Sequence, residues 1–418
     1  MADTPPTILG LFLAGFLLRA VLVLALRDVH AMPAGIKTAD DVEFNVLGQQ
    51  LARGEGFRNS DGRLTSFRAP GYPFFLAGVY SLAGEKPLAV YFAQCLLGGL
   101  TCVLAWALGT QLLDERGGQI VGWLTVTYVP HAWFATVFCS ENLFTPLLAL
   151  CTLIVLRAWS WSSPTYALLA GLVLGLAVLT RPFALLLVPL WGLFLLRSWR
   201  VQPLRALVMA GLLGVGTAAV VVPWMWRNYQ VHQEIVLVAT NGGSTFYGGN
   251  NPLVIEQWRY WGNWVSTTEL PGRTEIEAAP TEVLHDRIEW RLGKEWVRDH
   301  PGHALATLPL KLTRFFVWLP DFDGGSWWYL ILRIVTWVPY LGLLLVGLYL
   351  AGTRREGRRP EWMVVHLVLA ASILTALVFW GSPRFRDANG PLLLMYPALA
   401  LWSWRRADPG SDGGGNAA

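Results

Sequence analysis

Thr38-Ala39-Asp40-Asp41-Val42-Glu43-Phe44 places two adjacent carboxylates just past the first hydrophobic span of a chain that otherwise reads as membrane. Outward from this stretch the pattern is consistent. Of 418 residues, 54% are hydrophobic and 14% charged, whereas soluble domains carry roughly 25% charged residues. Apolar runs reach the roughly 18 to 25 residues that cross a bilayer. They fall at about 8–27, 87–113, 118–138, 142–159, 163–180, 182–197, 204–222, 327–352, 361–380 and 387–404. The expected fold class is an all-α polytopic membrane protein, a bundle of about 10–13 transmembrane helices with two loops that carry juxtamembrane helices. Residues 1–7 lack the basic segment of a cleaved signal peptide, so 8–27 reads as a retained anchor.

Two apolar stretches, 70–84 and 304–320, are short enough to span, re-enter or lie in the interface. Charge decides between these readings. Arg197, Arg200 and Arg205, Arg354–Arg359 and Arg405-Arg406 are clusters expected on the cytoplasmic side. They share one side, with Arg116, if neither short stretch crosses. The loops 28–86 and 223–326 then share the external face. This gives an N-terminal membrane module (1–222) containing the first loop (28–86), a second loop (223–326), C-terminal spans (327–406) and a Gly-rich tail (407–418) expected to be disordered.

Within the first loop, Phe44, Leu47, Gly48 and Leu51 recur at helical spacing. Thr38, Asp40 or Asp41 could cap that helix, and Gly54-Glu55-Gly56 ends it. Phe67-Arg68-Ala69-Pro70-Gly71-Tyr72-Pro73 forces a turn. In the second loop, 234–239 has strand character and Asn241–Pro252 is rich in Gly and Asn. Thr281 caps an amphipathic helix bearing Leu284, Ile288, Leu292 and Trp296.

Asp40 and Asp41 read in two ways. They are helix N-terminal carboxylates favoured by the dipole by under about 1 kcal/mol each, or a general base with a neighbour that tunes it. Arg68, Arg181, Arg384 and Arg386 all map to the loop face, against the positive-inside expectation. Guanidinium binds phosphate bidentately, so they are candidate ligands of an anionic lipid phosphate. Glu141 is a helix cap or a second polar contact, and Tyr72, Asn241, Tyr247 and Asn250 are candidate substrate contacts. A divalent cation could draw on Asp40, Asp41 and Glu141. Asp299, His300 and His303 lack a third spaced ligand. The four cysteines lie in or beside apolar spans and read as packing residues. Neither a Walker loop nor a nucleic-acid footprint is present. Gly214 and Gly216 lie inside a span, where small residues permit close helix packing.

The order of these motifs resembles a family. An external Asp-x-x-x-aromatic (Asp40…Phe44) is followed by Leu51…Gly54-Glu-Gly-Phe57 and Arg68-Ala-Pro-Gly-Tyr-Pro73. Glu141-Asn-Leu-Phe144 and Asn241-Gly-Gly…Gly-Asn-Asn-Pro252 come next. The series is similar to the GT-C glycosyltransferases, among them the aminoarabinose transferases that modify lipid A and the dolichyl-phosphate-mannose protein mannosyltransferases. The resemblance implies a GT-C-like bundle and an inverting hexosyl or pentosyl transfer from a polyprenyl-phosphate sugar. The acceptor would be an envelope lipid, polysaccharide or protein at the outer face of a bacterial inner membrane. It also implies that the first-loop Asp, here Asp40, is the base. Phe44 stands where relatives carry Tyr, and Arg68-Ala69-Pro70 replaces the acidic-Lys-Pro motif of lipid A transferases. Two other classes fit a polytopic chain, a transporter or flippase of lipid-linked intermediates and a scaffold subunit. No inverted repeat or pair of broken helices is visible to favour transport.

Overall fold

The computed structural model describes residues 8–26, 39–316 and 327–407. The Thr38 cap, the start of the first loop and the Gly-rich tail beyond 407 lie outside the described residues.

Helices are the regular elements among the described residues, with a single isolated β-bridge between Arg58 and Leu64. Its helices are α1 (Ile8–Leu26), α2 (Ala39–Ala52), α3 (Gly71–Ala83), α4 (Pro87–Leu112), α5 (Glu115–Thr127), α6 (Val129–Phe134), α7 (Glu141–Ser160) and α8 (Pro164–Thr180). They continue with α9 (Leu187–Leu196), α10 (Pro203–His232), α11 (Gly242–Gly249), α12 (Leu253–Glu256), α13 (Arg273–Glu277), α14 (Glu282–Asp299) and α15 (Pro301–Phe316). The last five are α16 (Trp327–Thr353), α17 (Trp362–Val378), α18 (Pro383–Asp387), α19 (Gly390–Leu393) and α20 (Met395–Ala407).

Each of the ten expected spans has a helical counterpart, but four differ in form. The span at 118–138 breaks at Tyr128, where Pro130 follows, into α5 and α6. The span at 182–197 opens with a 3₁₀ turn, Pro182–Leu186, before α9. The last span is divided into α19 and α20. The span at 204–222 extends to His232 as one 30-residue helix, so Trp224–Asn228 belongs to α10 and the second loop starts later than expected. Pro223 lies within that helix and does not stop it. Four helices, α1, α4, α7 and α10, are individually long and apolar enough to cross a membrane.

The two short apolar stretches are α3 and α15. At 1.5 Å per residue they cover about 20 and 24 Å, less than the roughly 30 Å of hydrocarbon. The expected strand at 234–239 is irregular backbone. Its carbonyls are taken by side chains of α10 instead: Trp224 Nε1 donates to Val238 O at 2.8 Å, and Asn228 Nδ2 to Val236 O at 3.1 Å.

Helix direction follows from which ends meet. Glu141 at the start of α7, Arg181 at the end of α8 and Arg384 after α17 converge. Therefore α7 and α9 run away from this face, and α8, α10 and α17 run toward it. The far ends carry Arg157, Arg197, Arg200, Arg205, Arg354, Arg355, Arg358 and Arg359. Arg406 joins them through Asp114, 3.6 Å away. The basic clusters and the convergent charges thus occupy opposite faces of the bundle.

Small residues let the helices approach. Gly171 and Gly175 of α8 lie against Leu213, Gly216, Thr217 and Val220 of α10. A Cβ on Gly216 would stand 2.6 Å from Leu168 O, whereas one on Gly214 would meet nothing within 4 Å. In a bilayer such close packing replaces the hydrophobic drive between helices. Outward-facing Leu13, Leu17, Val21 and Leu24 of α1 stay exposed, as suits a lipid-facing stripe. Gly171→Leu is expected to destabilise the fold by about 1–3 kcal/mol, and Gly214→Leu to stay within about 0.5 kcal/mol. Thermal unfolding in detergent checks this, and equal tolerance of the two would contradict the close crossing.

Candidate active site

The site begins with α2. Asp40 and Asp41 occupy its first turn, where a carboxylate meets the positive end of the helix dipole. Phe44 and Leu47 bury the face expected from their spacing, with Phe44 edge-on to Tyr72 of α3 at 5.0 Å. A Cβ on Gly48 would sit 2.6 Å from Leu76 Cβ, so α2 and α3 pack closely. This packing rotates the two carboxylates apart. Asp41 points inward, 2% exposed, and its Oδ1 accepts the Phe138 N–H at 2.7 Å. Asp40 points toward the convergent arginines.

Six charges form one alternating chain. Glu43 and Asp40 both hold Arg68, at 2.5 and 2.7 Å. The other oxygen of Asp40 holds Arg384 at 3.0 Å. Arg384 Nε donates to Glu141 at 2.7 Å, and Arg181 reaches the same carboxylate at 2.9 Å. Three acids and three arginines balance. The Glu141 side chain is fully buried, while those of Asp40 and Arg384 remain 28% and 43% exposed. The chain therefore runs from a sealed interior to an open face. Burial pushes the Asp40 carboxyl up, but Arg68 and Arg384 outweigh it and hold Asp40 below its ordinary value. Asp40 is thus a carboxylate, engaged through both oxygens.

Local sequence explains each member. Pro182 ends α8 and leaves Arg181 extended at its C-cap. Phe144, Phe183 and Phe385 then surround the Arg181 guanidinium with ring centroids within 5.9 Å. Arg384 lies in the first turn of α18, capped by Ser382 Oγ at 3.2 Å. The Arg68 turn approaches the end of α8 so closely that a Cβ on Gly71 would stand 3.0 Å from Thr180 Cα; only glycine fits.

Several expected site residues lie elsewhere. Arg386 is 2% exposed and locked to Asp387 at 2.7 Å and to the carbonyls of Phe315 and Phe316. Its guanidinium is engaged inside the bundle, which corrects its reading as a phosphate ligand. Tyr72 is fully buried and its hydroxyl donates to Gln94. Tyr247 donates to Pro271 O at 2.7 Å. Asn250 donates to Phe246 O and Val378 O and accepts from Lys311 Nζ at 2.9 Å. These three are buried structural contacts, which departs from their reading as substrate contacts. Asn241 stays partly exposed at the N-cap of α11.

The carboxylate trio considered for a divalent cation does not fit one. Asp41 faces Phe138, and Asp40 and Glu141 share Arg384, whose guanidinium fills the position between them. Among the described residues no cluster of three His, Cys, Asp or Glu side chains could hold a metal.

Sequence reasoning missed Glu43, which sits three residues after Asp40 on the same helix face. It also missed the support behind Arg68. Glu282, at the start of α14, accepts from Thr65 Oγ1 at 2.7 Å, Ser66 N at 2.8 Å and Thr240 Oγ1. Arg227 donates to Thr65 O at 2.7 Å. The start of α14 and the end of α10 thereby fix the turn two residues before Arg68.

Glu141→Gln removes the fully buried carboxylate on which Arg181 and Arg384 converge and is expected to cost about 3–5 kcal/mol. Glu43→Gln, at the exposed end, is expected to cost about 1 kcal/mol or less. Thermal unfolding of the two variants is the check. Equal losses would contradict the graded burial of the chain of charges.

Comparison with known proteins follows the same line. Residues 68–226 match the family described as Dolichyl-phosphate-mannose-protein mannosyltransferase. No curated protein sequence matches. The apo oligosaccharyltransferase of Archaeoglobus fulgidus superposes with TM-score 0.62 at 14% identity, covering 100% of this chain and 53% of its own. The same archaeal enzyme in complex with an inhibitory peptide and a dolichol-phosphate gives TM-score 0.58 at 13% identity, covering 98% and 52%. This chain spans about half the length of those solved chains. At such identities the likeness is one of fold: the chain shares the helical fold of that oligosaccharyltransferase over about half of the latter's length.

Proposed function

We propose that the protein is a glycosyltransferase that moves a sugar from a polyprenyl-phosphate donor to an acceptor hydroxyl or amine at the external membrane face. The observation that carries this reading is the open end of the charge chain, where Asp40 and two of its arginines meet at the membrane boundary. The motif match over 68–226, which begins at Arg68, and the likeness in fold to an archaeal enzyme seen with dolichol-phosphate support the donor class. The basic clusters on the opposite face support an external site by the positive-inside rule. A bacterial inner membrane, an envelope acceptor and inversion at the anomeric carbon are parts of the same proposal.

The chemistry proposed is an in-line displacement. Attack of the acceptor forms the new bond to the anomeric carbon as the bond to the phosphate oxygen breaks. The departing polyprenyl phosphate carries the electron pair away, and guanidinium groups of Arg68 and Arg384 stabilise the charge developing on it. Arg181, held in its aromatic cage, adds field from behind. Asp40 takes the acceptor proton. In the unliganded arrangement it is a poor base, because both oxygens are tied to arginine. Donor phosphate competes for those same guanidiniums, so binding the donor releases Asp40 and restores its basicity. The base is then available only when the electrophile is present.

Asp40→Asn is expected to lower turnover about 10²- to 10⁴-fold with a lipid-linked sugar donor, while the protein stays folded. Single-turnover transfer of labelled sugar is the assay. Full activity in folded Asp40→Asn would overturn the assignment of the base.

A further inference from the structure

The face opposite the site holds a second feature that the transfer reaction does not use. Where the far ends of α4 and α7 splay, a cleft of about 310 Å³ opens, lined by Trp106, Thr110, Gln111, Arg157, Ser160 and Trp161. Its size falls within the roughly 300–1,000 Å³ of small-molecule sites. The 20 residues of α7 place it about 30 Å from Glu141, which is the full hydrocarbon thickness.

Two observations define what would fill it. First, Arg157 has no carboxylate partner among the described residues; its guanidinium lies 5.1 Å over the ring of Trp161. Trp161 is itself set edge-on against Tyr166 at 5.0 Å, so the cation is held on a fixed wall. Second, the flanking Trp106 and Trp161 are interface residues in type and position, and the surrounding face carries the basic clusters. A guanidinium calls for phosphate. A headgroup of net negative charge satisfies it, whereas the quaternary ammonium of a choline headgroup sets a second cation beside Arg157. The tryptophans suit the glycerol backbone and upper acyl chains.

We propose that this cleft binds one anionic phospholipid of the phosphatidylglycerol class from the leaflet opposite the site. Arg157 holds its phosphate, and Trp106 and Trp161 flank its glycerol backbone. The site is built by the ends of α4 and α7 alone and stands independently of the glycosyl-transfer reading.

The test is native mass spectrometry of the full chain released from mixed micelles containing equal phosphatidylglycerol and phosphatidylcholine. The wild-type protein is expected to retain one phosphatidylglycerol with about tenfold preference, or about 1.4 kcal/mol. Arg157→Gln is expected to abolish the preference while the unfolding temperature stays unchanged. Equal retention of both lipids by the wild-type protein, the signature of annular lipid only, would overturn the proposal. So would undiminished phosphatidylglycerol retention by folded Arg157→Gln. The wild-type competition decides the matter even if that variant fails to fold.

Discussion

Glu141 is a carboxylate with no exposed surface at the head of a membrane-crossing helix, and much of the site's arrangement follows from neutralising it. Removing an ion from water costs several kcal/mol even after relaxation. Two arginines meet that cost, from the end of α8 and the turn after α17. Arg384 then carries donors to spare and reaches Asp40 on α2. One buried charge thus ties four separate segments together at one membrane face. The alternation of sign continues through Arg68 to Glu43, so no like charges are forced together.

This arrangement couples stability to chemistry. The inner pair, Glu141 with Arg181, is sealed and stiff. The outer members, Asp40, Arg68, Glu43 and Arg384, are part-exposed, as the proposed exchange with a donor phosphate requires. A phosphate is a better partner than a carboxylate, since it offers more acceptor oxygens in the bidentate geometry that guanidinium prefers. Behind Arg68, Glu282 and Arg227 hold residues 65 and 66, so that the second loop and the first form one wall of the site. The bundle supplies the fixed positions, and in the proposed mechanism Asp40, Arg68 and Arg384 are the groups that exchange partners.

Much of this was legible in the chain. Apolar run length marked ten segments that are helical, four of them individually long and apolar enough to cross a membrane, and the arginine clusters fall on the face opposite the convergent charges. The spacing of Phe44, Leu47, Gly48 and Leu51 gave α2. Asp40, Arg68, Arg181, Glu141 and Arg384 stood out as charges at the edge of apolar segments, where each needs a partner. Tertiary context decided the rest. Arg386 is two residues from Arg384 and chemically identical to it, yet the turn of α18 sends it inward to Asp387. Asp41 differs from Asp40 only by the 100° step between neighbours on a helix, which is enough to bury it. Tyr72, Tyr247 and Asn250 looked like ligands because their segments carry Gly and Pro, but those residues serve close packing. The span read as 204–222 continues through Pro223 to His232 as one helix.

The central claim is that Asp40 and donor phosphate compete for the same two guanidiniums. Equilibrium binding of a polyprenyl phosphate to the Asp40→Asn protein tests it most directly. The account predicts tighter binding than in the wild-type protein, because Arg68 and Arg384 no longer have to leave a carboxylate. Weaker binding in a folded variant would contradict it.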